Sequence, residues 1–119
     1  MAGRTGIIEY LEAGIKGAGL RQAAIASNIA NIGSPGYRRM AVAFEKRLAR
    51  AIADGQGVDI DELAKDVTRP GTTPVDANGN DVTLEMEIGE MVKNVGMQKT
   101  YLRLLARTYR KMESAMSVK

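Results

Sequence analysis

The residues best suited to specific chemistry are short polar side chains that follow the first apolar repeat of the sequence. The stretch SNIANIGSPGY, residues 27–37, contains two asparagines three positions apart, then a serine, a proline, a glycine and a tyrosine. Amides and hydroxyls donate and accept hydrogen bonds, so the chemistry of this stretch is non-covalent recognition. It contains few glycines and no lysine directly follows it, which excludes a phosphate-binding P-loop. We therefore predict an architectural role for the stretch.

The sequence contains no histidine and no cysteine. Their absence excludes Ser-His and Cys-His nucleophile pairs, Cys/His zinc sites and disulfides. A carboxylate- or lysine-based enzyme stays open, but the acids show no recognisable paired spacing. We predict that the chain is not an enzyme and has no catalytic, cofactor-binding or metal-ligating residue. Glu9, Glu12 and Lys16 interrupt the apolar segment of a secretory signal, and no run approaches the roughly 20 apolar residues of a membrane span.

The charges are segregated along the chain. Residues 1–53 carry eight Lys and Arg against three acids, and residues 84–119 carry seven against four. Residues 54–83 reverse the balance, with two basic residues and seven acids. These acids are Asp54, Asp59, Asp61, Glu62, Asp66, Asp76 and Asp81. An acidic middle between basic ends suits a chain that meets copies of itself or a charged partner, and an ordinary solvated surface is the alternative.

Apolar residues recur at alternating spacings of three and four in two long segments, a period that strands cannot produce. The first series is Ile8, Leu11, Ile15, Ala18, Ile25, Ile29 and Ile32, with Gln22 as its one interruption. The second series is Leu84, Ile88, Met91, Val95, Leu102, Leu105, Tyr109, Met112 and Met116, again with one glutamine, Gln98, as its interruption. We call these residues the helix-packing seam. They predict two helices at about 6–32 and 83–117.

A seam of this length must be buried against another helix. We therefore predict a mainly α fold in which the N- and C-terminal helices pack as an antiparallel, coiled-coil-like pair. Residues 1–33 and 84–119 would form a helical assembly domain, and neighbouring copies would cover the apolar surface that the pair leaves. Glycines within the helices permit close backbone approach at a cost of ~1 kcal/mol each relative to Ala. They are Gly14, Gly17, Gly19, Gly89 and Gly96.

Residues 34–83 are predicted to comprise a turn, a short third helix and an irregular insert. An amphipathic pattern over about 40–53 predicts the helix. Its polar side carries Arg38, Arg39, Lys46, Arg47 and Arg50. We expect this side to be solvated or to meet an acidic protein partner, with phosphate or lipid headgroups as the alternative. From Asp54 onward we expect an extended, loop-like segment with one or two helical turns at 61–67 and at most a short hairpin at Asn78–Gly79.

The stretch SNIANIGSPGY itself predicts the end of a helix followed by a turn. Gly33 suits the left-handed residue that ends a helix. Pro35 and Gly36 suit the central positions of a type II turn, which requires positive φ at the second. Ser34, which precedes proline, is excluded from the helical region. Asn28 and Asn31 lie one helical turn apart, so their amides can bond the turn backbone or a neighbouring chain, and Tyr37 can pack its ring while using its hydroxyl.

The stretch NIANIGSPGYRR, after an amphipathic N-terminal helix, resembles the signature of the flagellar rod and hook axial proteins. The pattern of that family is Asn, two residues, Asn, two residues, Thr or Ser, Pro, Gly, Tyr. Every position is matched here by Asn28, Asn31, Ser34, Pro35, Gly36 and Tyr37, with serine in place of the commoner threonine. Small size is typical of the rod proteins within the family, and the segments FEKRLARAI and YLRLLARTYRKMESAM resemble one of the proximal-rod proteins.

The resemblance implies a structural subunit of the bacterial flagellar basal-body rod, a drive shaft that crosses the periplasm and encloses an export channel. It implies motility as the process served and type III export without a cleaved signal peptide. The implied partners are copies of itself, other rod proteins, and export-gate and basal-body adaptor proteins, with no nucleic acid and no direct membrane span. No cofactor is implied.

Two other classes stay open at this point. The seam would equally serve a helical-hairpin adaptor or chaperone-like protein that binds partner helices. The arginines at 38–50 would serve a basic binder of nucleic acid or of a membrane surface.

Overall fold

The computed structural model describes residues 6–117. Its elements are α1 (Ile7–Ala30), β1 (Ala41–Val42), α2 (Glu45–Asp54), a 3₁₀ helix (Ile60–Asp66), β2 (Val67–Thr68) and α3 (Leu84–Ser117). The two long helices confirm the period of the apolar residues, and their bounds lie within three residues of those predicted. The molecule is a rod with extents of 68 × 27 × 18 Å. Among residues 6–117 no helix is both long and apolar enough to cross a membrane.

Helices α1 and α3 pack against each other in antiparallel orientation. Asn28, near the end of α1, contacts Glu87 near the start of α3. Gly14, fourteen residues earlier, lies against Tyr101, fourteen residues later. This register places Ile7 level with the region of Thr108, so the last nine residues of α3, which are all exposed, extend beyond the first turn of α1. The predicted mainly α fold with an antiparallel helix pair is confirmed.

The middle segment differs from the prediction at its start. We expected a helix from about residue 40, but α2 begins at Glu45 because Ala41 and Val42 form a strand. This strand pairs antiparallel with β2, with Ala41 opposite Thr68 and Val42 opposite Val67. Helix α2 ends at Asp54, and the next residue, Gly55, caps it in the left-handed conformation with φ 66°. The one or two helical turns expected at 61–67 are present as the 3₁₀ helix.

The core lies between α1 and this middle segment. Phe44 and Leu63 have no exposed surface. They pack with Tyr10 and Ala13 of α1, and with Leu48 of α2. The guanidinium of Arg21 lies 4.8 Å from the centre of the Phe44 ring. Residues 34–83 are therefore part of the hydrophobic core, including Leu63 of the segment from Asp54 onward that the sequence predicted to be loop-like.

Two of the helix glycines have a steric explanation. A Cβ at Gly14 would lie 2.7 Å from the Tyr101 ring, and a Cβ at Gly17 would lie 2.4 Å from Cγ of Phe44. Only glycine allows these rings to approach so closely. A Cβ at Gly19, Gly89 or Gly96 would meet no atom within 4 Å. Nothing within the described chain therefore requires glycine at these three positions.

Candidate functional site

The turn after α1 has the geometry that its sequence predicts at Pro35 and Gly36. The N–H of Tyr37 donates to the carbonyl of Ser34 at 3.2 Å, and Gly36 has φ 74°. These are the features of a type II turn with glycine at its third position. The N–H of Gly36 also donates to the carbonyl of Asn78 at 2.7 Å. The turn is therefore bound to the segment that precedes α3.

The prediction that Gly33 ends the helix in the left-handed conformation is wrong. Gly33 does not have positive φ. The last turn of α1 instead tightens into i→i−3 bonds, from Asn31 to Asn28 and from Ile32 to Ile29. The side-chain amide of Asn31 donates to the carbonyl of Ser27 at 2.9 Å. Since these bonds already end the helix, no left-handed glycine is needed.

Asn28 connects α1 to three other parts of the chain and is fully buried. Its Oδ1 accepts hydrogen bonds from the N–H of Met40 at 2.8 Å and from the hydroxyl of Tyr37 at 3.0 Å. Its Nδ2 donates to the carbonyl of Met40 and to Oε1 of Glu87, both at 2.9 Å. Two donors and two acceptor positions are all used, so the hydrogen-bonding capacity of the amide is satisfied.

The other polar residues of the signature bond within the turn. The hydroxyl of Ser34 donates to Oδ1 of Asn31 at 3.0 Å. The hydroxyls of Tyr37 and Ser27 lie 3.1 Å apart. The guanidinium of Arg69 lies 4.9 Å from the centre of the Tyr37 ring. The structure thus brings Asn28, Asn31, Ser34 and Tyr37 together around one turn.

The partner of Asn28 on α3 is part of a buried ion pair that sequence reasoning missed. Nε of Arg39 lies 2.8 Å from Oε2 of Glu87, whose side chain has no exposed surface. Beside it, Nε of Arg38 lies 3.1 Å from Oδ2 of Asp81, and Oδ1 of Asp81 accepts the N–H of Arg39. We call Asn28, Arg39, Asp81 and Glu87 the buried junction. It joins α1, the chain after the turn, the end of the middle segment and α3.

The charges of the buried junction stabilise one another. The hydrogen bond to Glu87 raises the pKa of Arg39. Burial alone would raise the pKa of Asp81, but the Arg39 N–H and the Arg38 guanidinium outweigh it and lower that pKa below its usual range. A lowered carboxyl pKa contributes stability above the unfolded-state value, and this stability is lost as the pH falls through the folded-state value. The buried junction should therefore weaken in acid.

These pairs correct the expectation for the basic side of residues 38–50. Arg39 is buried, so it does not belong to a solvated surface. Arg38 is paired with Asp81, and Arg47 is paired with Asp66 at 2.8 Å. Three arginines of residues 1–53 thus neutralise acids of the same chain. Two of these acids, Asp66 and Asp81, belong to the acidic segment 54–83. The linear charge pattern could not show this because each pair spans many residues.

Asn80 is a second residue that the sequence did not single out. Its Nδ2 donates to the carbonyls of Asn31 and Ser34, at 2.9 and 2.8 Å. The turn that carries it is closed by Asp76, whose Oδ1 accepts the N–H groups of Asn78 and Asn80. The expected hairpin at Asn78–Gly79 is therefore a tight Asx-type turn that binds the end of α1. The cluster DANGND before α3 was its only sequence signal.

The structure distributes the predicted helix-packing seam over two environments. On α1, Leu11, Ala18 and Ile25 are buried, and Ile8, Ile15 and Ile29 are partly buried. On α3, Met91, Val95 and Leu105 are partly buried. The remaining seam members are exposed in the single chain, and they are Ile32, Leu84, Ile88, Leu102, Tyr109, Met112 and Met116. The seam as a whole stays a prediction about the assembled protein.

Polar residues occupy much of the α3 surface that faces α1. Glu87, Asn94 and Tyr101 recur every seven residues along this surface. Asn94 is buried and its Nδ2 donates to the carbonyl of Ala18 at 2.9 Å. Glu87 and Asn94 hydrogen-bond α1 directly, and the Tyr101 ring packs against it at Gly14. The surface of α3 that contacts α1 therefore follows these three residues and not the apolar series alone. The exposed apolar residues of α3 lie beside it.

We expect Tyr37→Phe to lower the free energy of unfolding by about 1 kcal/mol, because the phenol hydroxyl bonds Asn28 and Ser27 in a partly buried site. Urea denaturation of the purified chain measures the change. Tyr109→Phe removes a hydroxyl from an exposed ring and is the matched control. Equal stability of the two variants would contradict a structural role for the Tyr37 hydroxyl.

No protein-family model matches the chain. A curated relative does: the chain is 30% identical over 123 aligned positions to the flagellar basal body rod protein FlgB of Bacillus subtilis (strain 168). The alignment covers 96% of this chain and 93% of the relative. It therefore includes both long helices, the signature turn and the middle segment. The chain belongs to the flagellar basal-body rod protein family.

Proposed function

We propose that the chain is a structural subunit of the bacterial flagellar basal-body rod, of the FlgB proximal-rod type. The observation that carries this proposal is the alignment with FlgB over nearly the full length of both proteins. In this proposal the chain assembles with copies of itself and with other rod proteins into the drive shaft and its export channel. It acts as a structural part and catalyses no reaction.

The surface of the described chain supports an assembling protein. Leu102 and Tyr109 of α3 are each 49% exposed, and Met116 is 77% exposed. These seam residues lie along one long helix whose end extends beyond α1. Large apolar side chains in a row favour burial against another protein. We propose that residues 1–33 and 84–119 form the assembly domain, and that residues 34–83 pack on it through the core they share with α1.

The signature turn has a defined part in this proposal. Its hydrogen bonds fix the direction in which the chain leaves α1 and connect that helix to α3 through the buried junction. Asn28, Asn31, Ser34, Pro35, Gly36 and Tyr37 would therefore set the relative position of the surfaces that neighbouring subunits contact. Further proposed partners are export-gate and basal-body adaptor proteins, and the proposed location is the periplasm-spanning rod, reached by type III export without a cleaved signal peptide.

Isolation of flagellar basal bodies tests the proposal. A strain that produces the epitope-tagged chain from its own locus should yield the tag in purified basal bodies, and deletion should abolish swimming until the gene is restored. A helical-hairpin adaptor would instead remain in the cytosolic fraction. Recovery there, with none in intact basal bodies and normal swimming in the deletion strain, would refute the rod function.

We expect Gly36→Val to block rod assembly and swimming. Valine at φ 74° is strained by about 1 kcal/mol or more, so the turn must change its path. Swimming-halo diameter and basal-body yield measure the effect. Gly33→Ala is the matched control, since Gly33 lies in the same stretch without positive φ and a Cβ there meets no atom within 4 Å. Normal swimming of the Gly36 variant would show that the turn geometry is dispensable.

A further inference from the structure

The C-terminal half of α3 carries a row of cations. Five basic residues and no acid lie between Met97 and Met112. Three of them, Arg103, Arg107 and Arg110, are exposed and share one side of the helix at spacings of four and three. With Leu104 they line a shallow surface cavity of about 310 Å³. We call Arg103, Arg107 and Arg110 the arginine row.

The arginine row points away from the rest of the chain. Tyr101 faces α1, and Arg103 follows it by two residues, which is about 200° around the helix axis. The ion pairs of residues 6–117 include none of these arginines. Like charges at this spacing destabilise a helix. An acidic surface from another molecule would remove that repulsion.

A complementary acidic surface lies on the same chain. Asp54, Asp59 and Asp61 are exposed at the end of α2 and the start of the 3₁₀ helix. The nearby acids Glu62 and Asp66 are paired with Lys65 and Arg47, but these three take part in no ion pair among the described residues. We call Asp54, Asp59 and Asp61 the acidic patch. It matches the arginine row in number and is opposite in sign.

The arginine row and the acidic patch lie at the same level along the long axis of the molecule, but on different sides of it. The hydroxyl of Tyr10 is 3.2 and 3.0 Å from the carbonyl oxygens of Ala51 and Gln56, which places the end of α2 beside the first turns of α1. The helix register places Tyr10 level with about Leu105, within the arginine row. This arrangement suits a lateral contact between copies. The arginine row of a copy can then face one neighbour while its acidic patch faces the other neighbour.

We propose that the arginine row of one copy docks on the acidic patch of a second copy. The contact is heterologous, so it repeats from copy to copy and leaves one unused surface at each end of a row of subunits. This inference rests on the proposed rod function and specifies which surfaces of adjacent subunits meet. Its electrostatic character predicts association that weakens as salt is raised.

A charge-swap experiment tests the contact. One variant carries Arg103→Glu and Arg107→Glu, and the other carries Asp54→Lys and Asp61→Lys. Each alone should lose at least about tenfold in self-association constant, measured by sedimentation equilibrium of the full chain at low salt. An equimolar mixture should recover association, because each reversed surface then meets a complementary one. Circular dichroism verifies that both variants keep their helices.

Lys16→Glu with Lys46→Glu is the matched control for the arginine variant, since it makes the same change in net charge at exposed lysines elsewhere. The contact is refuted if this control loses as much association, if the mixture does not recover it, or if the wild-type chain stays monomeric at every concentration tested. The contact is also refuted if the arginine variant loses binding to duplex DNA or to anionic phospholipid vesicles while its self-association is unchanged. Any of these results with the tagged chain still in basal bodies leaves the rod function standing.

Discussion

Replacing Glu87 by alanine is expected to lower the free energy of unfolding by about 3–5 kcal/mol. The side chain is fully buried and bonds both Arg39 and Asn28. Its removal leaves the Arg39 guanidinium buried without its closest counter-charge and the Asn28 amide short of an acceptor. Breaking a buried pair from one side carries a penalty of this size because the remaining charge is neither solvated nor compensated. Urea denaturation of the purified chain measures the loss.

Glu85→Ala is the matched control for this variant. Glu85 lies two residues earlier on the same helix and is exposed, so its replacement should change stability by no more than about 0.5 kcal/mol. The double variant Arg39→Leu, Glu87→Leu extends the test. If Arg39 and Glu87 stabilise the fold only as a pair, the double variant should lose clearly less free energy of unfolding than the two single leucine variants added together. Similar losses for Glu85 and Glu87 would show that the buried junction contributes little.

Gly17→Val is expected to destabilise the chain by about 3 kcal/mol or more. The new Cβ would lie 2.4 Å from Cγ of Phe44, a distance that carbon atoms cannot adopt without displacement. The ring has no room to move, since it is fully buried and lies against Arg21 and Tyr101. Helix α1 and the middle segment must therefore separate, which exposes core surface and disturbs packing. Thermal unfolding followed by circular dichroism measures the effect.

The opposite effect on stability is expected at Gly19, two residues further along α1. A Cβ at Gly19 meets no atom within 4 Å, and the position is exposed. Gly19→Ala should stabilise the single chain by up to about 1 kcal/mol through helix propensity. Destabilisation by both substitutions to a similar degree would mean that α1 requires glycine for a reason other than the approach of Phe44.

The sequence predicted those features that depend on residues close together in the chain. The spacing of Ile8, Leu11 and Ile15 is enough to indicate a helix, because a helical face repeats every 3.6 residues. Pro35 and Gly36 specify their turn for an equally local reason. Gly33 was misassigned since glycine suits a left-handed cap but does not require one, and the bonds around Asn31 end the helix first.

Features that depend on distant partners could not be predicted in this way. A glutamate in an amphipathic helix is normally solvated, and nothing near Glu87 indicates that Arg39, 48 residues earlier, will bury it. Strand β1 has two residues, too few to show an alternation. Its pairing with β2 depends on contacts made by the whole middle segment.

The polar residues between the long helices also explain why a single register is stable. An uninterrupted apolar seam would tolerate a shift of one helix past the other, since one leucine can replace another. Here a shift of one turn would separate Glu87 from Asn28 and Asn94 from the carbonyl of Ala18. Buried polar groups without partners are costly, so the shifted arrangements are disfavoured.

The buried junction also affects when the chain can fold during ribosomal synthesis, which starts at the N-terminus. Asn28 and Glu87 are separated by 59 residues, and Arg39 and Glu87 by 48. Both earlier residues therefore leave the ribosome well before the carboxylate that completes their hydrogen bonds. Closing so long a loop also has a large entropic cost that only the finished contacts offset. We therefore expect the nascent chain to stay incompletely folded until the last third of its sequence has left the ribosome, because the buried junction can form only then.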